Sequence, residues 1–73
     1  MAESDVGRVE SDIIQLRKTM KSMEVTGDTK ALLDMASRYC TDAEYHLKKG
    51  DLMTAFGCIN YAHGLLDSLK YRK

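Results

Sequence analysis

Two histidines carry whatever acid–base or metal chemistry this sequence offers, and each stands four residues from an aspartate: His46 after Asp42, and His63 before Asp67. On a helix that spacing puts both groups on one face, close enough for a hydrogen bond. A metal site needs further ligands. If the chain turns back at Gly50-Asp51, His46 lies beside about Ala55, and His63 then stands roughly 12 Å further along at the helical rise. One ion cannot reach both within a single chain, and the paired cysteine and histidine spacings of zinc sites are absent. Neither a metal nor a cofactor is implied.

The other reactive groups are equally isolated. Cys40 and Cys58 are the two cysteines, and both fall inside helical patterns, where a free thiol serves as a small apolar group. Ser22, Ser37 and Ser68 have no base and orienting group gathered around them, and the glycines form no loop that would cradle a phosphate. The five methionines suit adaptable packing. The residue types therefore describe a non-enzymatic protein.

The elements that carry these residues are helices. Proline is absent, alternation of apolar and polar residues never appears, and apolar residues recur at spacings of three and four. Val6, Val9, Ile13, Leu16, Met20 and Met23 form a stripe along a first helix over about residues 4–24. Thr26-Gly27-Asp28-Thr29 breaks it, with Gly27 suited to a left-handed helix end and Asp28 to capping the next helix. A second helix over about 29–49 turns Leu32, Met35, Ala36, Tyr39, Ala43, His46 and Leu47 inward. Gly50 ends it and Asp51 caps a third, over 52–70, with Leu52, Ala55, Phe56, Ile59, Ala62, Leu66 and Leu69 inward. Short connections make neighbours antiparallel, so the expected fold is an all-α, up-and-down three-helix bundle forming a single domain over residues 1–73.

Composition bounds the partners. The chain has 73 residues, with eleven basic and eleven acidic side chains and no net charge. That balance removes the general electrostatic attraction that nucleic acid or an anionic membrane would supply. The basic C-terminal cluster, Lys70, Arg72 and Lys73, complements the dipole at a helix end, as do Lys48 and Lys49. No apolar run is long enough to cross a membrane, no secretory signal is evident, and the cysteine usage suits a reducing cytoplasm. At this size one core supplies only about 3 to 5 kcal/mol, so a partner subunit is a natural source of further stability.

The third helix is anomalous. Between Leu52 and Leu69 its one charged residue is Asp67, and the face opposite the core stripe reads Thr54, Gly57, Tyr61, Gly64, Ser68. Two glycines in a helix interior cost about 2 kcal/mol relative to alanine unless close packing offsets it. Either this face meets another helix, most simply its own copy across a two-fold axis, or Gly57 and Gly64 face the first helix of the same chain. An alternative function, binding of a small polar ligand or docking on an enzyme, rests on Asp42, Tyr45, His46, Asn60, His63 and Asp67 along the hairpin.

The run from Tyr39 to Tyr45 (YCTDAEY), then Lys49-Gly50-Asp51, then the run from Ala55 to Asp67 (AFGCINYAHGLLD) resembles the archaeal proteins grouped as domain of unknown function 357. The likeness is close over the second and third helices and extends to the first only through its amphipathic character. It implies a cytosolic archaeal protein, a left-handed three-helix bundle and no assigned activity. Some relatives carry a neighbouring nucleotidyltransferase-like domain, which hints at an enzyme partner. Ala43, Gly50, Asp51, Ala55 and Ala62 also fall at the small-residue spacings of a tetratricopeptide helix pair. A single such unit cannot build that fold's groove, so the likeness implies tight hairpin packing and no more. The expected function is a helical assembly module, homodimeric or bound to another protein.

Overall fold

The computed structural model describes residues 2–70, with side chains from 5 to 69. It contains three packed helices: α1 (Ala2–Ser22), α2 (Lys30–Lys48) and α3 (Leu52–Lys70). They form a rod of 40 × 16 × 16 Å. The start of α1 lies against the end of α2, where Val6, Glu10 and Ile14 share a groove with Glu44, Leu47 and Lys48. Further along, Met20 and Lys21 lie near Ser37. Tyr39 meets Tyr61 across the second pair of helices. Successive helices are therefore antiparallel.

The α2–α3 turn is the most sharply specified part of the chain. Gly50 has φ +83°, the left-handed conformation that glycine adopts without a side-chain clash. Its amide donates to the Leu47 carbonyl at 3.1 Å, and the Asp51 amide donates to the His46 carbonyl at 2.8 Å. Those two bonds make a Schellman motif, which satisfies carbonyls that the helix end would leave free. Asp51 then opens α3: its Oδ1 accepts from the Thr54 amide at 3.2 Å. One glycine and one aspartate thus end one helix and begin the next.

The first connection differs from the expected one. α1 stops at Ser22, two residues early, where Met23 donates to the Met20 carbonyl at 3.2 Å in a tightened last turn. Gly27 does not take the left-handed conformation; among the described glycines Gly50 alone has positive φ. Asp28 caps nothing. Thr26 and Thr29 instead form a reciprocal box: the Thr26 amide donates to Thr29 Oγ1 at 2.9 Å, and the Thr29 amide donates to Thr26 Oγ1 at 3.2 Å. The Thr29 hydroxyl also donates to the Glu24 carbonyl, and Lys30 closes the first helical turn onto the Thr26 carbonyl. Two free amides are satisfied at once, which neither Gly27 nor Asp28 could do alone.

Val9, Ile13 and Leu16 of α1 and Ala55, Ile59, Ala62 and Leu66 of α3 are buried as their spacing requires. On α2 the inward arc is rotated from expectation. Leu33, Ala36, Cys40 and Ala43 are buried, whereas Leu32, Tyr39, His46 and Leu47 are half-buried and Met35 is exposed. Small residues occupy the centre because α2 and α3 approach closely there, and the larger apolar groups flank the seam. Arg17 spans α1 and α2, donating to Glu44 Oε1 at 3.2 Å and to Thr41 Oγ1 at 3.3 Å. Both charged partners are about two-fifths exposed, so the pair fixes register more than it adds stability, contributing about 1 kcal/mol at most.

The two inter-helix glycines should respond differently to one substitution. Gly50→Ala forces a side chain into the left-handed region and should destabilise the fold by about 1–2 kcal/mol. Gly27→Ala meets open space at an ordinary φ, so it should be neutral or stabilise by up to about 1 kcal/mol. Urea denaturation of the two variants beside the parent chain reads both values.

Candidate functional site

The face of α3 opposite its buried stripe is uncovered. Thr54, Gly57, Tyr61, Gly64 and Ser68 are all exposed, Tyr61 by 52%. At Gly57 and at Gly64 the position a Cβ would occupy is open, with no atom within 4 Å beyond the chain neighbours and the helix's own backbone. That overturns the alternative in which these glycines face α1. Inside the monomer nothing offsets their conformational cost. Met53 extends the uncharged surface at 85% exposure, and the Ser68 hydroxyl is satisfied locally by donating to the Leu65 carbonyl at 2.8 Å.

Tyr61 connects this face to α2. Its ring centroid lies 4.6 Å from that of Tyr39, with the planes tilted by 55°. Such tilted contacts stabilise an aromatic pair beyond the area it buries. The half-buried Tyr39 and the exposed Met35, one turn earlier on α2, continue the apolar surface across the hairpin. Sequence reading confined the surface to α3, because the expected arc turned Met35 and Tyr39 inward.

The polar residues of the hairpin do not converge. His46 pairs with Asp51 across the Schellman turn at 3.9 Å, not with Asp42. The Tyr45 ring meets His46 edge-on at 5.2 Å and carries the Lys49 ammonium 5.2 Å from its centroid. Among the described residues, neither His63 with Asp67 nor His46 with Asp42 forms a hydrogen bond or ion pair, and Asn60 is exposed without a side-chain partner. No group of three histidine, cysteine or acidic side chains among the described residues could hold a metal ion.

Neither cysteine is activated as a nucleophile. Burial pushes the Cys40 thiol up, opposed by Arg17 and reinforced by Glu44. Burial also raises Cys58, with Asp42 and Asp51 adding to the shift. Both thiols stay protonated at neutral pH, which suits packing. Asp51 moves the other way: bonding to the hydroxyl and amide of Thr54 holds its carboxyl below the usual range, with a further small contribution from His46.

Sequence reading also missed an apolar groove between α1 and α2, about 510 Å³ and open to solvent, lined by Val6, Ile13, Ile14 and Leu47 with Glu10, Glu44 and Lys48 at its rim. Ile14 is 64% exposed there. Its signal was the doubled isoleucine at 13 and 14, of which the helical period can bury only one. No helix among the described residues is long and apolar enough to cross a membrane. The basic side chains of Lys70, Arg72 and Lys73 lie outside the described residues.

Two measurements follow from this geometry. With open space at both glycines, Gly57→Ala and Gly64→Ala should each stabilise the dilute chain by about 1 kcal/mol, read from thermal or urea unfolding. Asp51 has a lowered folded pKa, so its contribution is complete above the unfolded value of about 3.9 and is lost as pH falls through the folded value. Acid unfolding of Asp51→Ala should therefore approach that of the parent chain at the lowest pH, and differ most at neutral pH.

A search of curated proteins finds no match to the chain. A family model described as "Protein of unknown function (DUF357)" matches residues 4–73, which takes in all but the first residues of α1 and the whole of α2 and α3. With nearly its full length matched, the chain belongs to the DUF357 family.

Proposed function

We propose that this protein is a non-enzymatic helical assembly module of the cytoplasm that self-associates through the outer face of α3, with Thr54, Gly57, Tyr61, Gly64 and Ser68 at the contact. The observation that carries this reading is the open space over Gly57 and Gly64, seven residues apart on one uncharged face. Two glycines that weaken a helix by about 2 kcal/mol, with nothing inside the monomer to compensate, fit a surface where a second backbone comes close. Tyr61 and Met53 supply contact area beside them, and a two-fold arrangement uses the same patch twice. A ligand-binding or enzyme-accessory role draws less support, since Asp42, Tyr45, His46, Asn60, His63 and Asp67 do not gather around one point.

Absolute mass by light scattering over a concentration series tests the reading. The parent chain should move from monomer to dimer as concentration rises. Gly57→Leu and Gly64→Leu should weaken association by at least about tenfold while circular dichroism shows the helices intact, because the added side chains enter open space in the monomer. A chain that stays monomeric, or a dimer indifferent to both leucines, would contradict it.

A further inference from the structure

The geometry points to one specific partner arrangement: a second copy of this chain laid antiparallel over the α2–α3 hairpin, with Gly57 facing the partner copy's Gly64 and Arg38 meeting the partner copy's Asp42, and the reverse. This rests on the self-association proposed above and adds to it a second helix, a charge pairing and a register.

Two independent features of the hairpin place a two-fold axis at the same height along it. The first is the glycine pair: an antiparallel copy that brings Gly57 onto Gly64 must have its axis between Asn60 and Tyr61 of α3. The second is on α2. Arg38 and Asp42 are exposed, and neither takes part in any of the three ion pairs among the described residues. They lie four residues apart, about 6 Å along the helix, with opposite charges. An antiparallel copy of α2 centred between them places each beside its opposite on the partner. Tyr39 stands level with Tyr61, so the midpoint of Arg38 and Asp42 falls level with Asn60. The influence of the Asp42 charge on the Cys58 thiol agrees with this alignment, since Asp42 then stands level with Cys58. The two axes coincide in height along the hairpin to within one residue's rise, about 1.5 Å.

The surface around that axis suits the contact. The Tyr39–Tyr61 pair sits at its centre, with the exposed side of Met35 beside it. An apolar and aromatic centre with charges toward its edge is the usual anatomy of a protein interface. The charges are complementary only in the antiparallel sense. A parallel copy would bring Arg38 onto Arg38 and Asp42 onto Asp42, and like charges placed opposite each other disfavour it.

Charge reversal tests the register separately from association itself. Arg38→Asp and Asp42→Arg, made singly, each place like charges at both reciprocal positions and should weaken the dimer about tenfold or more by light scattering. The double variant Arg38→Asp/Asp42→Arg restores both pairs and should return the dissociation constant to near the parent value, with circular dichroism unchanged throughout. A dimer unaffected by either single reversal, or one that the double variant fails to restore, overturns this register while leaving self-association standing. A parent chain that stays monomeric at every concentration overturns both.

Discussion

The close approach of α2 to α3 is the constraint on which the rest of the molecule depends. Ala36, Cys40 and Ala43 on one helix and Ala55 and Ala62 on the other are fully buried, and their small side chains let the two backbones come together. Gly50 fixes the reversal, and Asp51 starts α3 in the matching phase. A seam made of small residues buries little apolar area for its length. The bulk of the core must come from the third partner, and α1 supplies it with Val9, Ile13 and Leu16 beside Ile59 and Leu66. Each such side chain contributes about 1.5–3 kcal/mol on burial, an upper figure for so short a chain.

That division of labour explains the unusual surface. α1 covers one side of the hairpin, and among the described residues no fourth helix covers the other. The uncovered side holds the Tyr39–Tyr61 pair, Met35, Met53 and two glycines, where lysine and glutamate would stand on an ordinary solvated helix. Beyond that aromatic contact the face adds little to the monomer, and its glycines subtract from it. The assembly proposed above would give each of these residues a physical reason to be there.

Much of this was legible in the sequence, and the parts that were not have identifiable causes. The α3 stripe and the Gly50 turn follow from clear spacing and from a glycine whose neighbours leave it no competitor. The first connection misled because Thr26, Gly27, Asp28 and Thr29 are all residues that end or begin helices; only the reciprocal threonine bonds decide among them. On α2, size misled: Leu32, Met35 and Tyr39 outweigh Leu33, Ala36 and Cys40 in apolar bulk, yet close packing selects the small ones for the centre. The α3 face was recognisable by its lack of charge. Whether it pointed at α1 or away was a tertiary question, settled by the empty space above both glycines.

The glycines themselves are reporters of the central idea, that the outer face of the α2–α3 hairpin is an assembly surface. Backbone amide signals recorded by two-dimensional NMR across a dilution series test it most directly, with each of the five glycines followed in the same spectra. The account predicts that Gly57 and Gly64 shift with concentration together with Tyr61 and Tyr39, while Gly7 and Gly27 stay in place. Signals on the hairpin face that do not move, or movement centred on α1 instead, would contradict it.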